Sequence, residues 1–297
     1  MRAHTWLGGC FAIASWLGAA ACVGDSNVQP LPDASQQDTG CSGASCFDGS
    51  GGDASTDGPP AFTPKALPGL VLWLEGSLGL NTAGTKVNKW SDQSGKGNDA
   101  TAASGSTGPV TGLLQSKPSL QFNLDSTLEL ADSATLQWDT GDFLLEMVAS
   151  YSNTIPDASY VYGEFYFKQT NSGVFPGVVF VGNSGIDKTA KVGIGLDNAT
   201  YVYSSASNLN DGTARLIATR RKGTTLEVRI NGVVAGTVTN AGVARDVSAV
   251  GSGVRIGGII GLTALKGSIA EVIAVKGPTS DGDLAALEAY ATKKYGL

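Results

Sequence analysis

The sequence predicts an all-β fold built from antiparallel meanders, the unit from which sandwiches are made. Three observations carry this. The stretch from Arg215 to Thr237, RLIATRRKGTTLEVRINGVVAGT, sets Leu226, Val228 and Ile230 in alternation with Thr225, Glu227 and Arg229, the period of a strand with one buried face. Asn231-Gly232 then offers the two positive-φ residues of a tight hairpin, and Lys222-Gly223-Thr224 makes an earlier turn behind Leu216-Ile217-Ala218. Glycine is abundant, at 41 of 297 residues, and only 15% of residues are charged; this suits many short strands joined by turns and opposes helix bundles.

The N-terminus reads as an export signal over residues 1–21. Arg2 gives a positive start, Trp6 to Leu17 an apolar centre, and Ala19-Ala20-Ala21-Cys22 small residues at a cleavage point. The apolar run is shorter than the ~20 residues of a spanning helix. Ala19-x-Ala21 fits ordinary cleavage and a secreted product. Small residues directly before a cysteine also resemble a bacterial lipobox, with Cys22 lipidated, although Ala19 stands where leucine is usual. Cysteine arithmetic favours the lipid. Cys10 leaves with the signal, and a free Cys22 would leave three cysteines in an oxidising compartment, whereas a lipidated one leaves Cys41 and Cys46 as a pair. Val23 follows the cysteine rather than an aspartate, which by analogy indicates the outer membrane of a bacterial envelope.

Residues 22–65 are rich in Asp, Ser, Gly, Pro, Gln and Thr, too poor in large apolar residues to form a core, and read as a disordered acidic linker. Within it, Cys41-Ser-Gly-Ala-Ser-Cys46 has the spacing to close a small disulfide ring. Two thiols with no histidine make a poor metal site, so a local staple is the preferred reading. Six of the 26 acids fall between Asp25 and Asp57 and Arg2 is the only base before Lys65, so 20 acids and 19 bases remain from there onward. A domain this near neutral has no electrostatic footprint for nucleic acid.

Residues 66–297 are expected to form one domain. Leu70-Val-Leu-Trp-Leu-Glu75 reads as a first buried strand and Val87 to Trp90 as a second, followed by a segment, Ser91 to Ala100, with turn formers at nearly every position. Ser119–Phe122 and Thr127–Leu130 read as a strand pair. Asp142 to Tyr151 reads as a long strand whose core face carries Phe143, Leu145, Met147 and Ala149. After Pro278, Ser280 with Asp283 makes a capping-box-like start to a helix with an apolar stripe at Leu284, Leu287, Tyr290 and Ala291. That helix is expected near the sandwich edge.

Gly69-Leu-Val-Leu-Trp-Leu74, Trp90-Ser-Asp-Gln-Ser-Gly-Lys-Gly-Asn-Asp-Ala100, Pro118-Ser-Leu-Gln-Phe122, the Asn231-Gly232 hairpin and the run from Gly267 to Val275 resemble, in order and spacing, the concanavalin A-like lectin/glucanase superfamily. The resemblance is to its laminin G-like form, found in bacterial surface lipoproteins. It implies a jelly roll of two antiparallel sheets. The segment Asp211-Gly-Thr-Ala-Arg215 departs from the pattern, since many relatives carry tryptophan and histidine where Ala214 and Arg215 stand.

Several chemistries are excluded by what is missing. His4 is the only histidine, so the exported chain has no Ser-His or Cys-His dyad and no zinc-protease motif. Neither a G-x-S-x-G elbow nor a P-loop is present. Glucanases of this fold place carboxylates at alternate positions of one strand. Here Glu75, Glu129, Glu146, Glu164, Glu227, Glu271 and Glu288 each lack an acidic partner two residues away. A non-catalytic recognition module for carbohydrate or a surface protein is therefore the leading expectation. A purely structural or protein-interaction module is the alternative, and a glycoside hydrolase-like enzyme is a disfavoured third.

The candidate ligand residues lie in Tyr160-Val-Tyr-Gly-Glu-Phe-Tyr-Phe-Lys168. Strict alternation sends Tyr160, Tyr162, Glu164, Tyr166 and Lys168 to one face, leaving Val161, Phe165 and Phe167 for the core. Tyr201-Val202-Tyr203 repeats the pattern. Such rings can stack on the C–H faces of sugars; equally, tyrosine simply covers solvent-facing sheet well. Asp92, Asn98 and Asp99 offer hard oxygens of the kind calcium takes, a use frequent among laminin G-like relatives. The competing role for them is to bond nearby backbone amides in a turn. Arg220-Arg221-Lys222 reads as a solvated hairpin tip.

Overall fold

The computed structural model describes residues 62–153, 163–171, 174–182 and 189–297. The signal segment, Cys22, the linker with Cys41 and Cys46, and Tyr160 and Tyr162 lie outside them. The described strands run in chain order β1 (Leu70–Glu75), β2 (Leu80–Ala83), β3 (Lys86–Trp90), β4 (Ala100–Ala102), β5 (Val110–Leu114), β6 (Lys117–Phe122), β7 (Leu128–Leu130), β8 (Phe143–Tyr151), β9 (Glu164–Asn171), β10 (Val174–Val181), β11 (Gly193–Gly195) and β12 (Tyr201–Tyr203). After them come β13 (Arg215–Lys222), β14 (Thr225–Ile230), β15 (Val233–Thr239), β16 (Val254–Ile256) and β17 (Gly267–Lys276), and the helix α1 (Asp281–Tyr295) closes the chain.

All ladders among the described residues are antiparallel, and they form two layers. The back layer runs β1–β17–β8–β13–β14–β15, with β6 and then β5 beside the first residues of β17. The front layer runs β4–β7–β16–β9–β10–β11–β12. β3 pairs with β2 along one side; on the other, Lys86 pairs with β5 and Lys89 and Trp90 pair with β4, so the layers are joined at this edge. Between them lies one apolar core, with Leu72, Phe143, Met147 and Val228 from the back and Leu130, Val178, Ile194 and Ile256 from the front. This is the two-sheet antiparallel sandwich that the alternation predicted.

The central meander forms as read, with Asn231 and Gly232 at φ 49° and 78° and Gly223 at 57°. The Asn231 side chain also accepts the Leu216 amide at 2.9 Å, which pins the hairpin to the start of β13. The expected pairing of Ser119–Phe122 with Thr127–Leu130 does not occur. β6 pairs in the back layer and β7 in the front, because the five residues between them carry the chain across the sandwich.

β8 is buried on both faces. Phe143, Leu145, Met147 and Ala149 point into the core as expected, while Leu144 and Val148 meet α1. The helix lies across the middle of the back layer, not at its edge. Leu284 and Leu287 pack on Leu144, Ala218 and Ile273, and Ala291 and Tyr295 pack with Val148, Leu216 and Ala270. The apolar outer surface of β8, β13 and β17 dictates that position, since it would otherwise face water. Ser280 caps the helix: its hydroxyl accepts the Asp283 amide at 3.0 Å and donates to the Asp283 carboxylate at 2.7 Å. Ser280→Ala is expected to cost about 1 kcal/mol in urea unfolding. An unchanged midpoint would mean that packing alone holds the helix.

The Arg220–Lys222 run is not a solvated tip. Lys222 is exposed, but Arg221 is wholly buried and Arg220 nearly so. The cause is tertiary: β13 is flanked by β8 and β14, and the segments 138–141 and 243–245 close over its end.

Candidate functional site

The back layer is covered by α1, whereas the outer face of the front layer carries its own small apolar cluster, Phe167, Val179 and Val181 with Phe175, Tyr203 and Ile259. The phase of β9 creates this face. Tyr166 pairs with Phe180 and Glu164 with Val181, so Phe165 is an extra residue, a β-bulge. The bulge breaks the alternation. Phe165, Tyr166 and Lys168 turn inward, and Glu164, Phe167 and Gln169 line the outer face.

Tyr166 is therefore no platform residue. It is fully buried, its hydroxyl accepts from Trp138 Nε1 at 3.2 Å, and burial pushes its phenol above the usual range despite that bond. Lys168 is likewise buried; burial pulls its ammonium down, and Asp132 at 3.0 Å opposes that pull. Phe167, expected in the core, is on the outer face instead.

Tyr201 and Tyr203 do share the outer face, with Val202 beneath them. Their rings lie 5.9 Å apart at 53°. Both face glycines across the ladder, Tyr201 opposite Gly195 and Tyr203 opposite Gly193. A side chain at Gly193 would collide with the Tyr203 ring. Glycine there lets the ring lie flat on the sheet, and the ring in turn covers backbone that glycine leaves bare.

These elements enclose a cavity of about 430 Å³, within the range of small-ligand sites. Phe167, Val179 and Val181 contribute to its apolar lining, along with Phe175, Tyr201, Tyr203, Ile259 and Leu262. Glu164 and Gln169 supply buried polar groups. Burial pushes the Glu164 carboxyl up to about 8, against the Thr263 hydroxyl that donates to it at 2.6 Å and the charge of Arg255. The Gln169 Oε1 is buried with no hydrogen-bond partner among the described residues.

The cavity opens at both ends. Phe167 and Gln169 also line a cleft of about 600 Å³ with Thr101, Glu129, Asp132 and Arg255. Phe175, Asp197 and Asn198 also line one of about 830 Å³ with Thr200, Asn240 and Arg245. A groove thus crosses the front layer, whose seven strands at ~4.8 Å spacing measure roughly 30 Å.

Asp197 is the second carboxylate in the cavity lining. Its oxygens are committed, one to the amides of Ala199 and Thr200 at 2.6 and 2.5 Å and the other to Arg245. A glycosidase needs its second carboxylate to reach water or the sugar; this one holds a turn.

The Asp92 loop lies away from the groove. Asp92 accepts the amides of Trp73, Ser94 and Asn98 at 3.0, 2.9 and 3.1 Å. Asp99 accepts the Asp92 amide at 2.8 Å and meets Lys89 at 2.6 Å. Asn98 turns its amide nitrogen inward, to Val71 O at 2.7 Å and Thr135 at 2.8 Å. The Asp92 and Asp99 carboxylates thus bond the turn itself, the Asn98 amide nitrogen points inward, and among the described residues no three acidic, cysteine or histidine side chains are grouped to hold a metal.

Of the candidates read from the sequence, Glu164, Tyr201 and Tyr203 form part of the lining, Tyr166 does not, and Tyr160 and Tyr162 lie outside the described residues. Phe175, Val179, Val181, Ile259 and Leu262 were missed. The available signal was Gly193-x-Gly195 opposite Tyr201-x-Tyr203, small residues facing large rings.

The architecture is an antiparallel β-sandwich with one C-terminal helix. No protein family matches the chain, and no curated protein does. Among solved structures it is similar to the binding domain of Paraclostridial Mosquitocidal Protein 1, at 13% identity and TM-score 0.58, over 77% of this chain and 53% of that one. It is also similar to domain 4 of an extracellular GH43 arabinanase from Geobacillus stearothermophilus, in complex with arabinotriose, at 16% identity and TM-score 0.52, over 75% of this chain and 99% of that one. A third similarity, at 12% identity and TM-score 0.50, is to the binding domain of Botulinum neurotoxin DC in complex with rat synaptotagmin II, over 75% of this chain and 52% of that one. The chain spans about half the length of the two toxin domains. At these identities the likeness is one of fold.

Proposed function

We propose that residues 66–297 are a laminin G-like, non-catalytic recognition domain that binds carbohydrate along the front-layer groove. One observation carries this: a cavity walled by aromatic rings, with two buried polar side chains, on the sandwich face that the helix leaves bare. Flat rings beside hydrogen-bonding groups are what a sugar, with apolar C–H faces and hydroxyl edges, requires. Solved β-sandwich relatives in fold include one in complex with arabinotriose and one with synaptotagmin II, which supports a binding role for this architecture.

The rest of the reading comes from the N-terminal residues. A lipid on Cys22 anchors the protein in the outer membrane, residues 22–65 tether the domain, and Cys41 and Cys46 form a disulfide within the tether. Cys22→Ala is expected to move the protein from the membrane to the soluble fraction.

The test of binding is a glycan array probed with the full chain, with calcium and with chelator. Binding is expected, and Tyr203→Ala is expected to weaken it roughly tenfold or more, the size of a lost stacking contact plus cavity shape. A folded Tyr203→Ala variant that binds undiminished would remove the groove from consideration. Chelator sensitivity would bring the Asp92 loop back as a calcium site. A surface-protein ligand is favoured by one feature, the exposed Ile260 and Leu262 at the groove rim; an empty array with a crosslinked protein partner would support it.

A further inference from the structure

The polar groups of the central cavity are mismatched in a way that specifies what enters it. Glu164 and Gln169 are 3% and 4% exposed, and both belong to the lining. The Gln169 Oε1 is a buried acceptor with no donor among the described residues. Glu164 receives the Thr263 hydroxyl, which is itself used by the Ile259 amide at 3.0 Å. Among the described lining residues there is no lysine or arginine. Two arginines line the adjoining clefts and are engaged, Arg245 with Asp197 and Arg255 with Glu129 at 2.8 Å. The site thus holds an acceptor surplus beside the aromatic faces of Phe175, Tyr201 and Tyr203, and such faces attract a cation, as Phe167 at the cavity's end does with the Arg255 guanidinium 6.0 Å from its ring centroid.

We propose that this cavity recognises a protonated amine carried on a sugar, an amino-hexose unit without an N-acetyl group. This rests on the carbohydrate-binding reading and sharpens it. The ammonium has three donors and no acceptor, the complement of Gln169 Oε1 and of the Glu164 carboxyl, which releases its proton to the solvent when the ammonium pairs with it. An N-acetyl group would remove the charge and bring a new acceptor; an acidic sugar would set a second carboxylate against Glu164. The lysine side chain of a protein offers the same ammonium. A sugar chain is favoured because the cavity continues at both ends into clefts with hydroxyl and amide side chains, among them Thr101, Asn198, Thr200 and Asn240.

The test is calorimetry on the full chain with three β-1,4-linked hexamers that differ at one carbon: fully deacetylated glucosamine, fully N-acetylated glucosamine and glucose. Salt at about 0.5 M screens attraction between the polycation and the acidic surface. The glucosamine hexamer is expected to bind roughly tenfold or more tightly than the other two, and Glu164→Gln and Gln169→Leu each to remove most of that preference while the far-ultraviolet circular dichroism stays unchanged. If the glucose or N-acetylated hexamer binds as well and Tyr203→Ala abolishes that binding, the groove reading stands and the amine proposal falls. If glucosamine binding persists in both variants, the ammonium sits elsewhere and the proposal falls. If no hexamer binds but oligolysine does, sensitive to Tyr203→Ala, the occupant is a peptide and the proposal falls with the carbohydrate reading.

Discussion

Replacing Arg221 by alanine is expected to destabilise the domain by about 3–5 kcal/mol, more than any other single change at a charged residue. Its guanidinium is fully buried at the end of β13 and donates to five carbonyls: Gly141 at 2.6 Å, Trp138 and Asp139 at 2.8 Å, Arg245 at 3.0 Å and Val243 at 3.4 Å. It also lies over the Phe143 ring at 4.9 Å. Burial lowers its pKa to about 10, against the fields of Asp142, Asp139 and Asp246, so the group stays charged at neutral pH. Alanine would leave those carbonyls facing an empty space within the fold. Lysine would recover less than half of the loss, because a single ammonium with three donors cannot span the fan that a planar fork fills. Urea unfolding of the three proteins checks this; a lysine variant as stable as the parent would show that charge, and not geometry, is what the site uses.

The second expectation is a stability that falls as pH rises through neutrality. Glu146 on β8 is fully buried beneath α1, with neither carboxyl oxygen hydrogen-bonded. Burial holds its pKa well above the ordinary value, nearby Glu288 and Glu271 add to the shift, and Arg229 opposes it. Glu164 is raised to about 8 in the same direction. An acid whose folded pKa exceeds its unfolded one binds more protons when folded. Its contribution is whole below pH ~4.5 and is lost as pH climbs through the folded value. For Glu164 that window is pH 4.5 to about 8, a loss of up to about 5 kcal/mol. Below this window the opposite limb begins: the Lys276 ammonium and Ser248 hydroxyl hold Asp139 below the usual carboxylate range, a benefit that acid removes. The domain is therefore expected to be most stable near pH 4–5. Glu146→Leu, similar in volume, is expected to gain about 1–4 kcal/mol at pH 8 and little at pH 4. Denaturant titrations at pH 4, 6 and 8 measure both slopes; an unfolding free energy that rises from pH 5 to 8 in the parent would contradict the account.

The features legible in the sequence are those set by local period. The meander of β13 to β15 follows from alternation and two turns whose glycines sit at positive φ. The helix follows from a capping serine, an apolar stripe and Gly296 in the left-handed conformation at its end. Tyr201 and Tyr203 were placed correctly on one face because β12 is regular. The misplaced residues trace to tertiary causes. Alternation carried through Phe165 assumes one residue per step, and the bulge against Val181 breaks that assumption, which exchanges Tyr166 for Phe167 on the groove. Arg221 looked like a hairpin tip because nothing local says that residues 138–141 and 243–245 fold over it. Glu146 carries an ordinary acid's letter, and only the helix laid across β8 makes it costly.

The two faces of the sandwich also differ in where the chain enters and leaves. Phe62 packs edge to face on Tyr290 of α1, with centroids 6.1 Å apart, and Leu297 packs into the cluster around Ala291 and Tyr295. Both ends of the domain therefore emerge on the helix side, behind the groove. A bead or a fluorophore attached directly at either end of the described domain therefore sits behind the groove and leaves its mouth uncovered.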